Sequence, residues 1–99
     1  MTLTKTTDGT TLTIQIDGRL DTNTAPQLEA EISQSAEGME KICLDLAKLE
    51  YISSAGLRVL LSTQKKMNRQ HGSLIIRNAG DTVKEVFEIT GFVDFLTIE

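Results

Sequence analysis

Two adjacent serines, Ser53 and Ser54, are the residues whose type and position most suggest chemistry in this chain. They stand in the segment YISSAGLRVLL, residues 51–61, between the exit of an apolar strand and a run with helical spacing. A serine acts as a nucleophile when a base, usually histidine, lies within hydrogen-bonding distance. The only histidine, His71, falls at the far end of the same predicted helix, roughly 20 Å or more away at about 1.5 Å per residue. We therefore predict neither serine hydrolysis nor any other enzymatic activity.

Other chemistries are weakly supported at this serine pair. The stretch SSAG lacks the lysine and the repeated glycines of a phosphate-binding loop, so nucleotide binding remains only a weak alternative. One cysteine and one histidine, without a carboxylate cluster at ligand spacing, predict no metal site, and no cofactor is expected. Cys43 lies in the apolar run ICLDL and is expected to be a small buried residue.

The charge distribution argues against a nucleic-acid partner. The 99 residues carry a net charge of -4, and their 39% hydrophobic and 24% charged content is ordinary for a globular domain. The only basic cluster, Lys65, Lys66 and Arg69, lies late in a predicted helix, where cations favour the C-terminus. No apolar run approaches the roughly 20 residues of a membrane span, and the N-terminus has no apolar signal core. We expect a cytoplasmic protein that binds neither nucleic acid nor membrane.

The N-terminal third predicts a hairpin followed by a helix. Apolar and polar residues alternate strictly over residues 11–16, which is typical of a strand with one buried face. The preceding Asp8-Gly9 pair is a hairpin signal, so residues 2–6 are expected to pair with that strand. The markers of the helix that follows are Thr24 as N-cap, Pro26 in the first turn and Gly38 after the last turn.

The remainder predicts strands alternating with helices. Strands are predicted over residues 41–46, 74–76 and 93–98, and helices from about Ser54 to Gly72 and from about Thr82 to Gly91. Thr82 and Glu85 have the spacing of a capping box. The predicted order is β-β-α-β-α-β-α-β over a single domain, residues 1–99. This is an α/β fold with three helices on a mixed, largely parallel sheet, one face of which is less covered than the other.

A helix cap explains one of the two serines. Ser53 is expected to accept a hydrogen bond from an amide of the first turn, which leaves the hydroxyl of Ser54 pointing outward. Gly56 is a poor helix former, costing about 1 kcal/mol relative to alanine, so stability alone does not account for it. With the small Ala55 it is expected to leave bare backbone that lets another protein approach the hydroxyl.

Two segments resemble the STAS domain family, in particular the bacterial anti-sigma-factor antagonists. The stretch LAKLEYISSAGLRVLL resembles the family signature in which Asp-Ser and a small residue precede Gly-Leu, and this alignment puts Ser54 on the phosphorylated serine. The stretch GRLDTNTAPQLEAEI resembles the Gly-x-Leu-Asp segment before the first helix, and Asp21 matches its aspartate. The resemblance therefore implies a STAS-like fold.

The resemblance also implies a function. The unmodified protein would bind an anti-sigma factor with serine kinase activity and so release a sigma factor, and phosphorylation of Ser54 would end that binding. A PP2C-type phosphatase is a possible further partner, and the protein would be a monomer or weak dimer. The implied contact residues are Asp21, Thr22, Asn23, Ser53, Gly56, Leu57 and Arg58.

Two departures from the family pattern bear on this hypothesis. Ser53 replaces the usual aspartate, which removes one negative charge beside Ser54. The chain also lacks the final helix of many relatives, so apolar surface near its C-terminus is expected to be exposed or covered by self-association. The alternative is a STAS module that does not switch, a scaffold or a subunit of a transport complex that acts by protein-protein binding.

Overall fold

A two-stranded hairpin begins the fold, as the alternation of residue types predicts. The computed structural model describes all residues, 1–99. Strands β1 (Thr2–Asp8) and β2 (Thr11–Leu20) are antiparallel, and Asp8 lies opposite Thr11. Gly9 in the turn has a φ of 61°, a left-handed conformation that glycine adopts without steric cost. The hairpin prediction is confirmed.

The remaining elements build a mixed sheet with helices in the crossovers. They are α1 (Ala25–Ser35), β3 (Lys41–Asp45), β4 (Leu49–Ile52), α2 (Ser54–Arg69), β5 (Ser73–Arg77), α3 (Asp81–Thr90), a 3-10 turn (Phe92–Asp94) and β6 (Thr97–Ile98). The strand order is β1-β2-β3-β5-β6, and β4 pairs with β2 beyond the end of β3. Every pairing other than that of β1 with β2 is parallel. The predicted α/β class with three helices is confirmed.

A single core lies on one face of this sheet. One cluster of 23 buried residues takes side chains from all three helices and from one face of the central strands. In β2, Leu12, Ile14 and Ile16 are fully buried, whereas Thr11, Thr13 and Gln15 between them are half-buried. Cys43 is buried on the opposite face, outside the cluster, and desolvation raises the pKa of its thiol. The uneven covering of the two faces of the sheet follows the predicted pattern.

No helix of the fold has the length and apolar content needed to cross a bilayer.

The structure corrects the predicted element order at β4. The predicted order has no strand between residue 46 and the helix at Ser54, but residues 49–52 form one because β2 has ten residues and β3 only five. The last residues of β2 therefore have an open edge, and Tyr51 and Ile52 pair with Arg19 and Leu20 there. The burial of β4 does not alternate, so its sequence carries no strand periodicity.

Two smaller predictions near the C-terminus are also corrected. The predicted last strand, residues 93–98, is a 3-10 turn followed by a strand of two residues. Helix α3 begins at Asp81 with Gly80 as N-cap and no side-chain cap, so Thr82 and Glu85 form no capping box. Gly91 does end this helix, with a left-handed φ of 77°.

Candidate functional site

Strand β4 delivers the serine pair directly to the start of α2. The pairing of Leu20 with Ile52 continues as a hydrogen bond from the Ser53 amide to the Leu20 carbonyl, with an N–O distance of 2.9 Å. Ser53 has an extended backbone, and its hydroxyl accepts a hydrogen bond from the Gly56 amide at 3.4 Å. Ser53 is therefore the N-cap, as predicted, although the bond is long. Ser54 is the first helical residue and its side chain is exposed.

Gly56 has a structural explanation inside the molecule. A Cβ atom at this position would lie 2.7 Å from Leu20 Cγ and 2.9 Å from Ile52 Cγ1, closer than Cβ atoms approach other carbons. The first turn of α2 therefore rests on the ends of β2 and β4 with room for a hydrogen atom only. The packing beneath α2 therefore explains Gly56 without a partner, and contact between Gly56 and a partner stays a prediction. Leu57 is also buried, at 5% exposure, so neither residue presents a side chain to a partner.

The segment between β2 and α1 is held by Asp21. Its Oδ1 accepts hydrogen bonds from the amides of Asn23 and Thr24 at 3.0 and 3.1 Å. Partial desolvation raises the pKa of Asp21, but the hydrogen bonds from Thr24 and Asn23, with the charge of Arg19, outweigh it and hold the pKa below its usual value. This carboxylate is therefore ionised near neutral pH and orders the residues beside it.

Thr24 contributes to the same segment rather than to a cap. It occupies the N-cap position of α1, as predicted, but its side chain makes no cap hydrogen bond. The hydroxyl instead accepts from the Asp21 amide at 2.9 Å and donates to the Arg19 carbonyl at 2.7 Å. Pro26 lies in the first turn of the helix, as predicted. The helix ends at Ser35, two residues earlier than a terminus directly before Gly38 would require.

An arginine and a tyrosine that the sequence analysis did not single out border this segment. Arg19 and Tyr51 are register partners in β2 and β4, and the guanidinium carbon lies 4.3 Å from the centre of the tyrosine ring. Such a cation-π contact contributes about 0.5–1 kcal/mol at exposed sites. The Arg19 Nε also lies 4.0 Å from Asp21 Oδ2. The position of Tyr51 two residues before the serine pair was the available signal, and recognising it required the unpredicted strand β4.

The predicted site residues thus separate into an exposed group and a buried group. A shallow groove between α1 and α2 is lined by Thr22, Ala25, Pro26 and Glu29 on one side and by Ala55, Arg58, Val59 and Ser62 on the other. The β2–α1 segment and the first turns of α2 therefore meet on one surface. We define the serine-pair surface as the exposed or half-buried residues Asp21, Thr22, Asn23, Ser53, Ser54 and Arg58. No group of three or more histidine, cysteine or acidic side chains in the structure is arranged to hold a metal ion.

The chain matches a known protein family along almost its whole length. The sequence model of the STAS domain matches residues 2–99. The chain belongs to the STAS domain family. Among curated relatives of this STAS domain, BtrV of Bordetella bronchiseptica, an anti-sigma factor antagonist by provisional assignment, is 40% identical over 84 residues, which are 84% of this chain and 72% of BtrV. The anti-sigma-B factor antagonist of Staphylococcus aureus is 30% identical over 86 residues, 86% of this chain and 80% of that protein.

Solved structures agree at the level of the fold. The anti-sigma factor antagonist SpoIIAA in its unphosphorylated form has a TM-score of 0.78 at 20% identity, covering 99% of this chain and 87% of that one. The phosphorylated form of SpoIIAA, a cell fate determinant of Bacillus, also gives a TM-score of 0.78, at 21% identity, covering 99% of this chain and 91% of that one. This STAS domain is therefore a homologue of anti-sigma factor antagonists and shares the SpoIIAA fold.

Proposed function

We propose that this STAS domain is an anti-sigma-factor antagonist that phosphorylation of Ser54 switches off. The unmodified serine-pair surface would bind an anti-sigma factor with serine kinase activity and so release a sigma factor. The kinase would transfer the terminal phosphoryl group of ATP to Ser54 Oγ, and a PP2C-type phosphatase would remove it. The observation that carries the proposal is the position of Ser54, exposed in the first turn of α2, where the next residue, Ala55, lines a groove together with Thr22 of the β2–α1 segment.

The division of labour between the two serines supports a switch at the surface. Because Ser53 caps α2, the helix start does not depend on the Ser54 hydroxyl. A phosphoryl group adds about -1.5 to -2 charge at pH 7. The amides and dipole at a helix N-terminus favour negative charge, so the modified protein would stay folded. A partner packed on the neutral serine would instead have to desolvate a dianion and would lose affinity.

The serine at position 53 is compatible with this function. The family usually has aspartate there, and a hydroxyl oxygen serves as a cap acceptor in the same way as a carboxylate oxygen. What changes is the charge beside Ser54, which bears on recognition by the kinase rather than on the fold. The same substitution is the observation that favours the alternative, a STAS module that binds partners without phosphorylation.

Binding measurements on Ser54 variants test the proposal. Ser54→Asp is expected to weaken calorimetric binding to the cognate anti-sigma factor by at least tenfold, or about 1.4 kcal/mol, while its thermal melt stays that of the unmodified protein. Ser54→Ala is expected to bind and to resist the kinase in a phosphate-affinity gel. Ser73→Asp adds the same charge at an exposed position on β5 and serves as the control. Equal affinity of Ser54→Asp and the unmodified protein would support the module that does not switch.

A further inference from the structure

Ser54 and Arg58 lie on the same face of α2, one turn apart. Residues at positions i and i+4 of a helix have Cβ atoms about 5–6 Å apart, and both of these side chains are exposed. An acidic group that precedes a basic group by four residues is the more favourable order of such a pair. The geometry of an ion pair is therefore in place, and the unmodified serine supplies no charge to complete it.

The guanidinium of Arg58 has no ionic partner in the structure. The ion pairs join Lys5 to Glu31, Arg19 to Asp21 and Arg77 to Glu99. Glu29 lines the same groove as Arg58, but its carboxylate is beyond the 4.0 Å of an ion pair. Arg58 is thus a cation without a counterion, one helical turn from the residue proposed to gain a dianion.

We propose that Arg58 binds the phosphoryl group of phosphorylated Ser54, an inference that rests on the proposed modification of that serine. A phosphoserine presents three acceptor oxygens, and a guanidinium presents parallel N–H donors that match two of them. Phosphorylation then changes the serine-pair surface at two residues. Ser54 gains negative charge. Arg58 turns its N–H donors toward the phosphate and can no longer contact an acidic or carbonyl group of the partner.

Other charges near this site are of both signs and define the background. They are Arg19 and Asp21, which form an ion pair, and Glu29, which lines the groove with Arg58. These charges act on the pKa of a phosphate at Ser54 both in the protein with Arg58 and in a variant without it. The measurement must therefore compare variants of Arg58 in one background rather than compare the protein with a free phosphoserine.

The second pKa of the phosphate reports the contact directly. Phosphoserine is inserted at position 54 during translation, without a kinase, and its 31P chemical shift is titrated at low salt between about pH 4 and pH 8 around the usual second pKa of about 6. Arg58 is expected to hold this pKa about 0.5 unit below its value in Arg58→Gln, as for an exposed pair. Arg58→Lys keeps the charge but loses the planar fork, so it should give an intermediate value. Lys65→Gln removes an exposed cation that lies about 16 Å from Ser54 along the same helix, and it should leave the pKa of the phosphate unchanged.

Each result decides for or against the contact. An unchanged pKa in Arg58→Gln, or an equal rise in Lys65→Gln, would overturn it. If the phosphoserine protein does not fold by circular dichroism, the carboxyl pKa of Ser54→Glu with and without Arg58→Gln makes the same comparison. Because no kinase or anti-sigma factor enters these measurements, a negative result leaves the proposed function standing. Failure of a kinase to modify Ser54 would conversely leave this pairing measurable.

Discussion

The start of α2 and the segment after α3 are opposite in construction. At the start of α2 the exposed side chains are short or polar, while Gly56 beneath them has no space for a Cβ. In the last turn of α3 the side chain of Ile89 is 76% exposed, and after the helix those of Val93 and Phe95 are 42% and 65% exposed. The first region is closely packed inside and polar outside, and the second leaves apolar surface in contact with solvent.

In the proposed function, this difference would let a surface be switched without unfolding the protein. The exposed serine stands on a turn held by a cap, by tight packing against β2 and β4, and by the hydrogen-bonded Asp21 segment. A charge added there would change what a partner contacts and would leave the core intact. In the segment after α3, Phe92 and Phe95 make an edge-to-face contact with ring centres 6.5 Å apart, and most of the Phe95 side chain stays exposed.

The largest expected effect separates buried from exposed aromatic side chains near the C-terminus. Phe87 is fully buried in the core, so Phe87→Ala should lower the free energy of unfolding by about 3–5 kcal/mol. Phe95→Ala should change it by less than about 0.5 kcal/mol because most of that ring is already in water. Urea denaturation of both variants makes the comparison. A loss at Phe95 near that at Phe87 would mean that Phe95 is covered in solution, for example by self-association.

A second comparison uses two glycines with different surroundings. Gly56→Ser should lower the free energy of unfolding by about 1–3 kcal/mol, since the new Cβ overlaps Leu20 and Ile52. Gly80→Ser, at the N-cap of α3, meets no atom within 4 Å and should change stability by only a few tenths of a kcal/mol. Thermal and urea denaturation measure both. Equal stability of the two variants would contradict the tight packing described for the start of α2.

A third comparison separates the two serines. Ser53→Ala should cost about 0.5–1 kcal/mol, the lower part of the usual range for a lost cap, because the hydrogen bond to Gly56 is 3.4 Å long. Ser54→Ala should change stability by less than about 0.5 kcal/mol. Ser53→Asp retains a cap acceptor and is the control that should keep full stability. Mass spectrometry after kinase treatment should still find phosphate on Ser54 in the Ser53→Ala protein. Phosphate on Ser53 alone in the protein without substitutions would reverse the assignment.

The smallest expected effect is the pH dependence contributed by Asp21. Its pKa is lower in the folded protein than in the unfolded chain, so it adds stability above the unfolded pKa, about 3.9, that is lost as the pH falls through the folded value. Asp21→Asn keeps an acceptor oxygen and removes the charge. Thermal melts should therefore show the variant less stable at about pH 7, with the difference from the unsubstituted protein shrinking as the pH falls below about 3.9 toward about 2. A difference that persists at the lower pH would assign the effect to geometry instead of charge.

Local patterns in the sequence determined most elements of this fold. The alternation in residues 11–16 predicted β2, the Asp8-Gly9 pair predicted the hairpin, and the position of Ser53 predicted the cap of α2. These signals work because strand periodicity, turn conformation and helix capping depend on residues close together in the chain. The resemblance to the STAS family rested on two such local segments.

Contacts between distant residues decided the rest, and only the tertiary structure shows them. Strand β4 exists because β2 extends beyond β3, and Gly56 is required because Leu20, 36 positions earlier, lies beneath it. The same packing buries Leu57, which the sequence had assigned to a partner surface, and leaves Ser54 and Arg58 exposed. The lengths of two strands and the close approach of a helix to their ends are properties of the assembled sheet, and no local period in the sequence encodes them.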